Sequence, residues 1–189
     1  ISVCAVDAEG GRSEWVETTV TAYAIVFDAG DGAAVETVYR AEGDAPEFAE
    51  STRTGYDFSG WYTQPNGEGT RYDTLESLAI EEDVTLYAAW TARQYDITFD
   101  VGTYGPEEGL ETQQVTYDSN FTLSVPESAS TLKAFAGWYT SPNGEGIQIT
   151  DYTGSSLTAW RRTNAMTVYA YWVDIFSFTS QVAGGYAVS

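Results

Sequence analysis

Apolar and polar residues alternate with a period of two along most of this chain, the spacing of strands that bury one face. Residues 1–22 read as strand, glycine-containing turn and strand. Residues 23–28, Tyr-Ala-Ile-Val-Phe-Asp, predict the next strand, closed by a turn over Ala29-Gly30-Asp31-Gly32. Further strands are predicted at 34–39, at 55–62 and at 84–90, with a short return strand at 70–72. Between them, 41–54 is polar with Pro46 and Phe48 as anchors. Leu75, Leu78 and Ala79 have helical spacing, enough for one turn. The pattern describes a mostly β chain.

The same order then recurs. Residues 23–28 return 72 positions later as Tyr95-Asp96-Ile97-Thr98-Phe99-Asp100, and 84–90 return 82 positions later as 166–172. Between them lies a stretch that is nearly identical in both copies. It reads Gly60-Trp61-Tyr62-Thr63-Gln64-Pro65-Asn66-Gly67-Glu68-Gly69 in the first and Gly137-Trp138-Tyr139-Thr140-Ser141-Pro142-Asn143-Gly144-Glu145-Gly146 in the second, 77 positions on. Only Gln64 against Ser141 differs. Asn-Gly supplies the two positive φ values of a tight hairpin turn. The drift in offset falls between strands, where loops tolerate insertion. The expected organisation is therefore a partial unit at 1–22, a first repeat at 23–92, a second at 93–173 and the start of a further module at 174–189. The linker Ala92-Arg93-Gln94 is too short for a loose hinge, which predicts semi-rigid stacking of the repeats. The chain opens on Ile1 inside a predicted strand and reads as a piece of a longer protein.

Charge and composition narrow the function. Hydrophobic residues make up 43% of the 189, enough for a folded core. The balance is 28 acidic against 8 basic residues, a net charge of −20, which repels nucleic acid and anionic membrane surfaces. No apolar run is long enough to insert into a bilayer. Histidine is absent and Cys4 is the single cysteine, so a histidine-based triad, a Cys–His pair and a Cys/His zinc site are all impossible within the chain. Cys4 reads as a small buried hydrophobe.

The motifs resemble the Listeria–Bacteroides repeat, also called the internalin-type B repeat. The first copy carries Phe27-Asp28, Gly55-Tyr56-Asp57-Phe58-Ser59-Gly60-Trp61-Tyr62 and Thr85-Leu86-Tyr87-Ala88-Ala89-Trp90. The second carries Phe99-Asp100, Phe135-Ala136-Gly137-Trp138-Tyr139 and Thr167-Val168-Tyr169-Ala170-Tyr171-Trp172, with Lys133-Ala134 in place of the Gly-Tyr before the central Phe. The resemblance implies a β-grasp-like fold for each copy and a place in arrays of bacterial surface and secreted proteins, as spacer and adhesion modules. No catalytic residue comes with it. Residues 1–22 resemble the last two strands of a fibronectin type III domain.

Candidate chemistry is sparse. Trp61, Tyr62, Tyr87 and Trp90 recur as Trp138, Tyr139, Tyr169 and Trp172 and are expected to fill the cores. Asp28-Ala29-Gly30-Asp31-Gly32 lacks the spaced ligands and closing Glu of a calcium loop, and Glu81-Glu82-Asp83 reads as a solvated loop. No metal, cofactor or catalytic site is read. Trp160 takes the place of Leu78 and is expected in the core, with Arg161 and Arg162 beside it as a cationic spot on an acidic module, the one candidate binding site. Edge strands carrying acids such as Glu36 are expected to resist self-pairing yet admit a basic or neutral partner strand. The sequence thus predicts a non-catalytic extracellular repeat region at a cell surface or cell wall, a spacer that also adheres to a host or neighbouring-cell protein or glycan. The alternatives are a carbohydrate-binding accessory region of an extracellular enzyme, marked by exposed Trp and Tyr, and an enzyme, marked by a deep pocket with converging carboxylates.

Overall fold

The computed structural model describes residues 2–3, 16–17, 21–41, 49–72 and 82–175. The chain divides into two units, Ile1–Thr91 and Ala92–Ser189. The first begins with a short antiparallel pair, β1 (Ser2–Val3) and β2 (Val16–Glu17). The expected helical turn at 75–79, the anchors Pro46 and Phe48, Cys4 and the expected further module beyond Ile175 lie outside the described residues.

In the first unit, β3 (Ala22–Asp28), β4 (Val38–Ala41), β5 (Tyr56–Tyr62), β6 (Arg71–Tyr72) and β7 (Val84–Ala92) make one sheet in the order β4-β3-β7-β5-β6. In the second, β8 (Gln94–Asp100), β9 (Gln113–Thr116), β10 (Lys133–Tyr139) and β11 (Met166–Asp174) follow the same plan in the order β10-β11-β8-β9. The fourth strand of that plan is reduced to a single bridge between Tyr139 and Gln148. The first and last strands of each repeat lie side by side and parallel, Ile25 against Val84 in one and Ile97 against Met166 in the other. Antiparallel neighbours flank the pair in the second repeat, β9 beside β8 and β10 beside β11, and β4 runs antiparallel to β3 in the first, which is the β-grasp arrangement. Both sheets are mixed, and the fold is mostly β.

The second predicted strand begins later than expected. Residues 34–37 are not strand, and Glu36 is therefore no edge-strand charge. Their approach is set by Ala33, whose N–H donates to Thr52 O at 2.8 Å and whose carbonyl accepts from Ser51 Oγ at 2.6 Å. That attachment draws the chain off the sheet before β4.

Alternation fills the cores as the sequence requires. Ile25, Phe27, Trp61 and Leu86 are buried in the first unit; Ile97, Val115, Leu123, Trp138, Trp160 and Val168 are buried in the second. Of the four recurring aromatics, one per repeat is fully buried: Trp61 at 1% exposure and Trp138 at 0%. The others are half-buried. Trp90 and Trp172 instead clamp the turn after the first strand, each indole N–H donating to a backbone carbonyl, Ala29 O at 3.2 Å and Val101 O at 2.9 Å.

The repeated stretch has the same mechanics twice. Asn66 and Gly67 have φ of 61° and 77°, and Asn143 and Gly144 have 60° and 76°, the positive pair expected of Asn-Gly. Across each turn a threonine hydroxyl accepts the returning backbone N–H at 2.9 Å, Thr63 from Thr70 and Thr140 from Ile147. The glycine before the tryptophan kinks β10 where its pairing with β11 shifts register, between Phe135 and Gly137. Gly137 has φ of 140°, and a Cβ there would come 2.4 Å from Thr150 O. No other residue fits that position.

Candidate functional site

Arg161 and Arg162 lie on the loop that leads into β11, anchored by the residue before them. Trp160 is 3% exposed and packs edge-on against Phe121, ring centres 5.7 Å apart. Its backbone is clasped at both ends: Trp160 N–H donates to Ser119 O at 3.0 Å, and Asp118 N–H donates to Trp160 O at 2.7 Å. The clasp fixes where the arginines begin. Trp160 belongs to the core as expected from its correspondence with Leu78. That first-repeat counterpart, with Ala79 and Ile80, lies outside the described residues.

The two arginines differ. Arg161 pairs with Asp118, Nη2 to Oδ1 at 2.6 Å, while its own side chain remains 68% exposed. Pairs this exposed contribute about 0–1 kcal/mol, so the link positions the guanidinium more than it stabilises the fold. Arg162 is exposed and has no partner among the described residues. Together they rim a groove of about 500 Å³ whose floor is Phe121, Ile149 and Trp160. Ile147 is 63% exposed on its wall. The indole N–H of Trp160 is buried without an acceptor among the described residues. Among the described residues no carboxylate, thiol or imidazole lines this groove. Its chemistry is that of holding an apolar body with an anionic or acceptor group.

The two acid-rich loops are occupied by structural hydrogen bonds. Asp28 Oδ1 accepts the Gly30 N–H at 2.9 Å, and Asp31 pairs with Arg53 at 2.9 Å. Asp83 Oδ1 accepts the Ala24 N–H at 2.8 Å. Among the described residues no group of three or more His, Cys, Asp or Glu side chains is placed to hold a metal ion. Sequence reasoning found the arginines but missed what surrounds them. Phe121, Ile147 and Ile149 are brought in from distant loops, and nothing in their spacing signals it.

Small mixed sheets with parallel first and last strands, each built around a Gly-Trp-Tyr strand and an Asn-Gly turn, define a tandem array of β-grasp-like repeats. The chain belongs to the Listeria-Bacteroides repeat domain family, whose sequence model matches residues 23–89 and 95–171. It is similar to Internalin H of Listeria monocytogenes, 36% identical over 123 residues that cover 65% of this chain and 21% of that protein. It is also similar to a putative Gly-rich membrane protein of Evansella cellulosilytica, 33% identical over 147 residues, 73% of this chain and 16% of the relative. A second putative membrane protein of that organism is 29% identical over 157 residues, 82% of this chain and 23% of the relative. The chain thus spans about a fifth of the length of the curated relatives it matches. No solved structure matches it. No helix among the described residues is long and apolar enough to cross a membrane.

Proposed function

We propose that this chain is a non-catalytic repeat region of a bacterial cell-surface protein, one that holds a distal domain away from the cell and contributes contacts of its own. The observation that carries the spacer role is the parallel pairing of the first and last strands in each repeat. A module whose end strands are antiparallel neighbours returns the chain to where it started. Here the chain starts at one end of the sheet and leaves at the other, so each copy advances it by about 23 Å, the length of a seven-residue strand. The occurrence of similar sequence in an internalin and in proteins described as membrane proteins supports an extracellular place.

The contact surface in this reading is the Arg161–Arg162 groove, which suits an acidic or acceptor-rich protein segment on a host or neighbouring cell. The test is deletion of residues 23–173 from the full-length parent on its cell, then replacement by an unrelated rigid spacer of equal reach. Rescue of the distal domain's binding by that spacer is the expected result. Binding that survives the deletion unchanged refutes the spacer role. Failure of rescue, with Arg162→Ala reproducing the defect, leaves adhesion as the main role.

A further inference from the structure

A second cleft lies in the second repeat, at the C-terminal ends of β8 and β11, with a volume of about 380 Å³. Most of its lining is common to both repeats. Asp100, Asn143, Tyr169 and Trp172 correspond to Asp28, Asn66, Tyr87 and Trp90. The rest is not. At the same offsets Tyr104 stands for Gly32, Lys133 for Tyr56 and Tyr171 for Ala89. One scaffold has therefore been furnished, in this copy alone, with two added phenol rings and an ammonium group.

These additions are held in place. The Tyr171 ring lies over the Asn-Gly turn so closely that a Cβ on Gly144 would come 2.7 Å from it, and it meets Tyr139 edge-on at 5.4 Å. Lys133 Nζ bonds Asp174 at 2.7 Å and sits 5.0 Å from the centre of the Tyr104 ring. The lysine charge is thereby matched, and in a chain of net charge −20 the cleft does not attract anions. Tyr104 is 38% exposed. Asn143 is exposed, and its amide makes no hydrogen bond among the described residues. Asp100 uses Oδ1 for the Gly102 N–H at 2.9 Å, which leaves Oδ2 for a ligand.

From this geometry we infer that the cleft formed by Tyr104, Tyr171, Asn143 and Asp100 is a binding site for a neutral hexopyranosyl unit. A pyranose presents C–H bonds of partial positive charge on one face, which suit the negative face of an aromatic ring. Its rim carries hydroxyl groups that both donate and accept, matched by one amide and one carboxylate oxygen. The volume is at the small end of ligand clefts, ~300–1,000 Å³, which fits one or two rings and not a long chain. The site is separate in its lining residues from the Arg161–Arg162 groove and does not depend on the spacer role.

The test is titration of the full chain with cellohexaose, chitohexaose, mannohexaose and maltohexaose, followed by calorimetry and ligand-observed NMR. At least one should bind, with little change between low and high salt. Tyr171→Ala installs the residue that the first repeat already folds with, and Tyr104→Ala alters a ring on an exposed loop. Each should weaken binding about three- to tenfold, the loss of one aromatic contact. Arg162→Ala should leave it unchanged, which separates this site from the groove. Circular dichroism identifies any variant that fails to fold, in which case the other decides. No binding by any of the four at millimolar ligand, or binding unchanged in the folded tyrosine variants, overturns the inference.

Discussion

Replacing Trp138 by alanine removes the largest fully buried side chain among the described residues of the second repeat. It is 0% exposed, with Phe99 at 4.8 Å and Phe135 at 5.2 Å between ring centres. Emptying such a site costs about 3–5 kcal/mol, because the lost transfer energy is joined by a cavity the neighbours fill only in part. The indole N–H also donates to Ser124 O at 3.0 Å, and losing that bond adds about 1 kcal/mol. The sum of about 4–6 kcal/mol rivals the whole stability of an ~80-residue module, about 4–12 kcal/mol at the usual 0.05–0.15 kcal/mol per residue. Trp138→Phe retains ring contacts and loses the donor, so it should cost less than half as much. The assay is urea unfolding of the full chain followed by circular dichroism, with hydrogen exchange read on β8 to β11. Trp138→Ala should leave those strands with little or no protection. A loss below about 1 kcal/mol would refute the view that the repeated tryptophan is the keystone of each core.

Gly144→Ala should destabilise more than Gly67→Ala, by about 1–2 kcal/mol, because both pay for the left-handed backbone but only the former runs into a ring, Tyr171 where the first repeat has Ala89. The double variant with Tyr171→Ala should recover the difference, as read from melts of all four chains. The Asp151 carboxyl is held below its ordinary value of 3.8, first by the hydrogen bond from the Thr153 hydroxyl and then by the backbone N–H groups of Thr153 and Ser155. A depressed acid contributes its full stability above the ordinary value and loses it as pH falls through the lower folded value, so Asp151→Asn should flatten the acid limb of a melting-temperature profile. Lys133 titrates above its ordinary 10.5, chiefly through its hydrogen bond with Asp174. Its contribution is complete below that value and disappears as pH rises through the higher folded one, so Lys133→Met should remove a loss of stability seen only in strong alkali.

What was legible in the sequence was local. Period-two alternation located β3, β7, β8 and β11, and Asn-Gly fixed the turn, because both are set by residues within reach of one another. What was not legible depends on partners far along the chain. Residues 34–37 alternate well enough for a strand, yet Thr52 and Ser51 engage the chain first through Ala33. Thr150 is 0% exposed, against its polarity, because its hydroxyl accepts the Trp138 N–H at 3.1 Å beside the kink at Gly137. Trp90 and Trp172 fall on strand positions that read as core, and only the backbone carbonyl waiting at the turn makes them clamps. The candidate site divides in the same way. Two adjacent arginines in an acidic chain stand out in any reading, whereas Asp118 and the groove floor are placed beside them by folding alone.

The parallel pairing at the centre of each sheet has a mechanical consequence. Tension on the chain pulls the beginning of the first strand one way and the end of the last strand the other. In the second repeat these are β8 and β11, in direct register from Ile97–Met166 to Asp100–Tyr169. The force therefore loads their hydrogen bonds in shear, all at once, instead of peeling them apart one by one as at the free end of a hairpin. A weakly stable module of this geometry resists stretching far better than its free energy of unfolding suggests, since the applied work must break a set of bonds together. Under flow or the tug of an attached cell, the two bound strands would give way late and abruptly, and each repeat would hold its length until then.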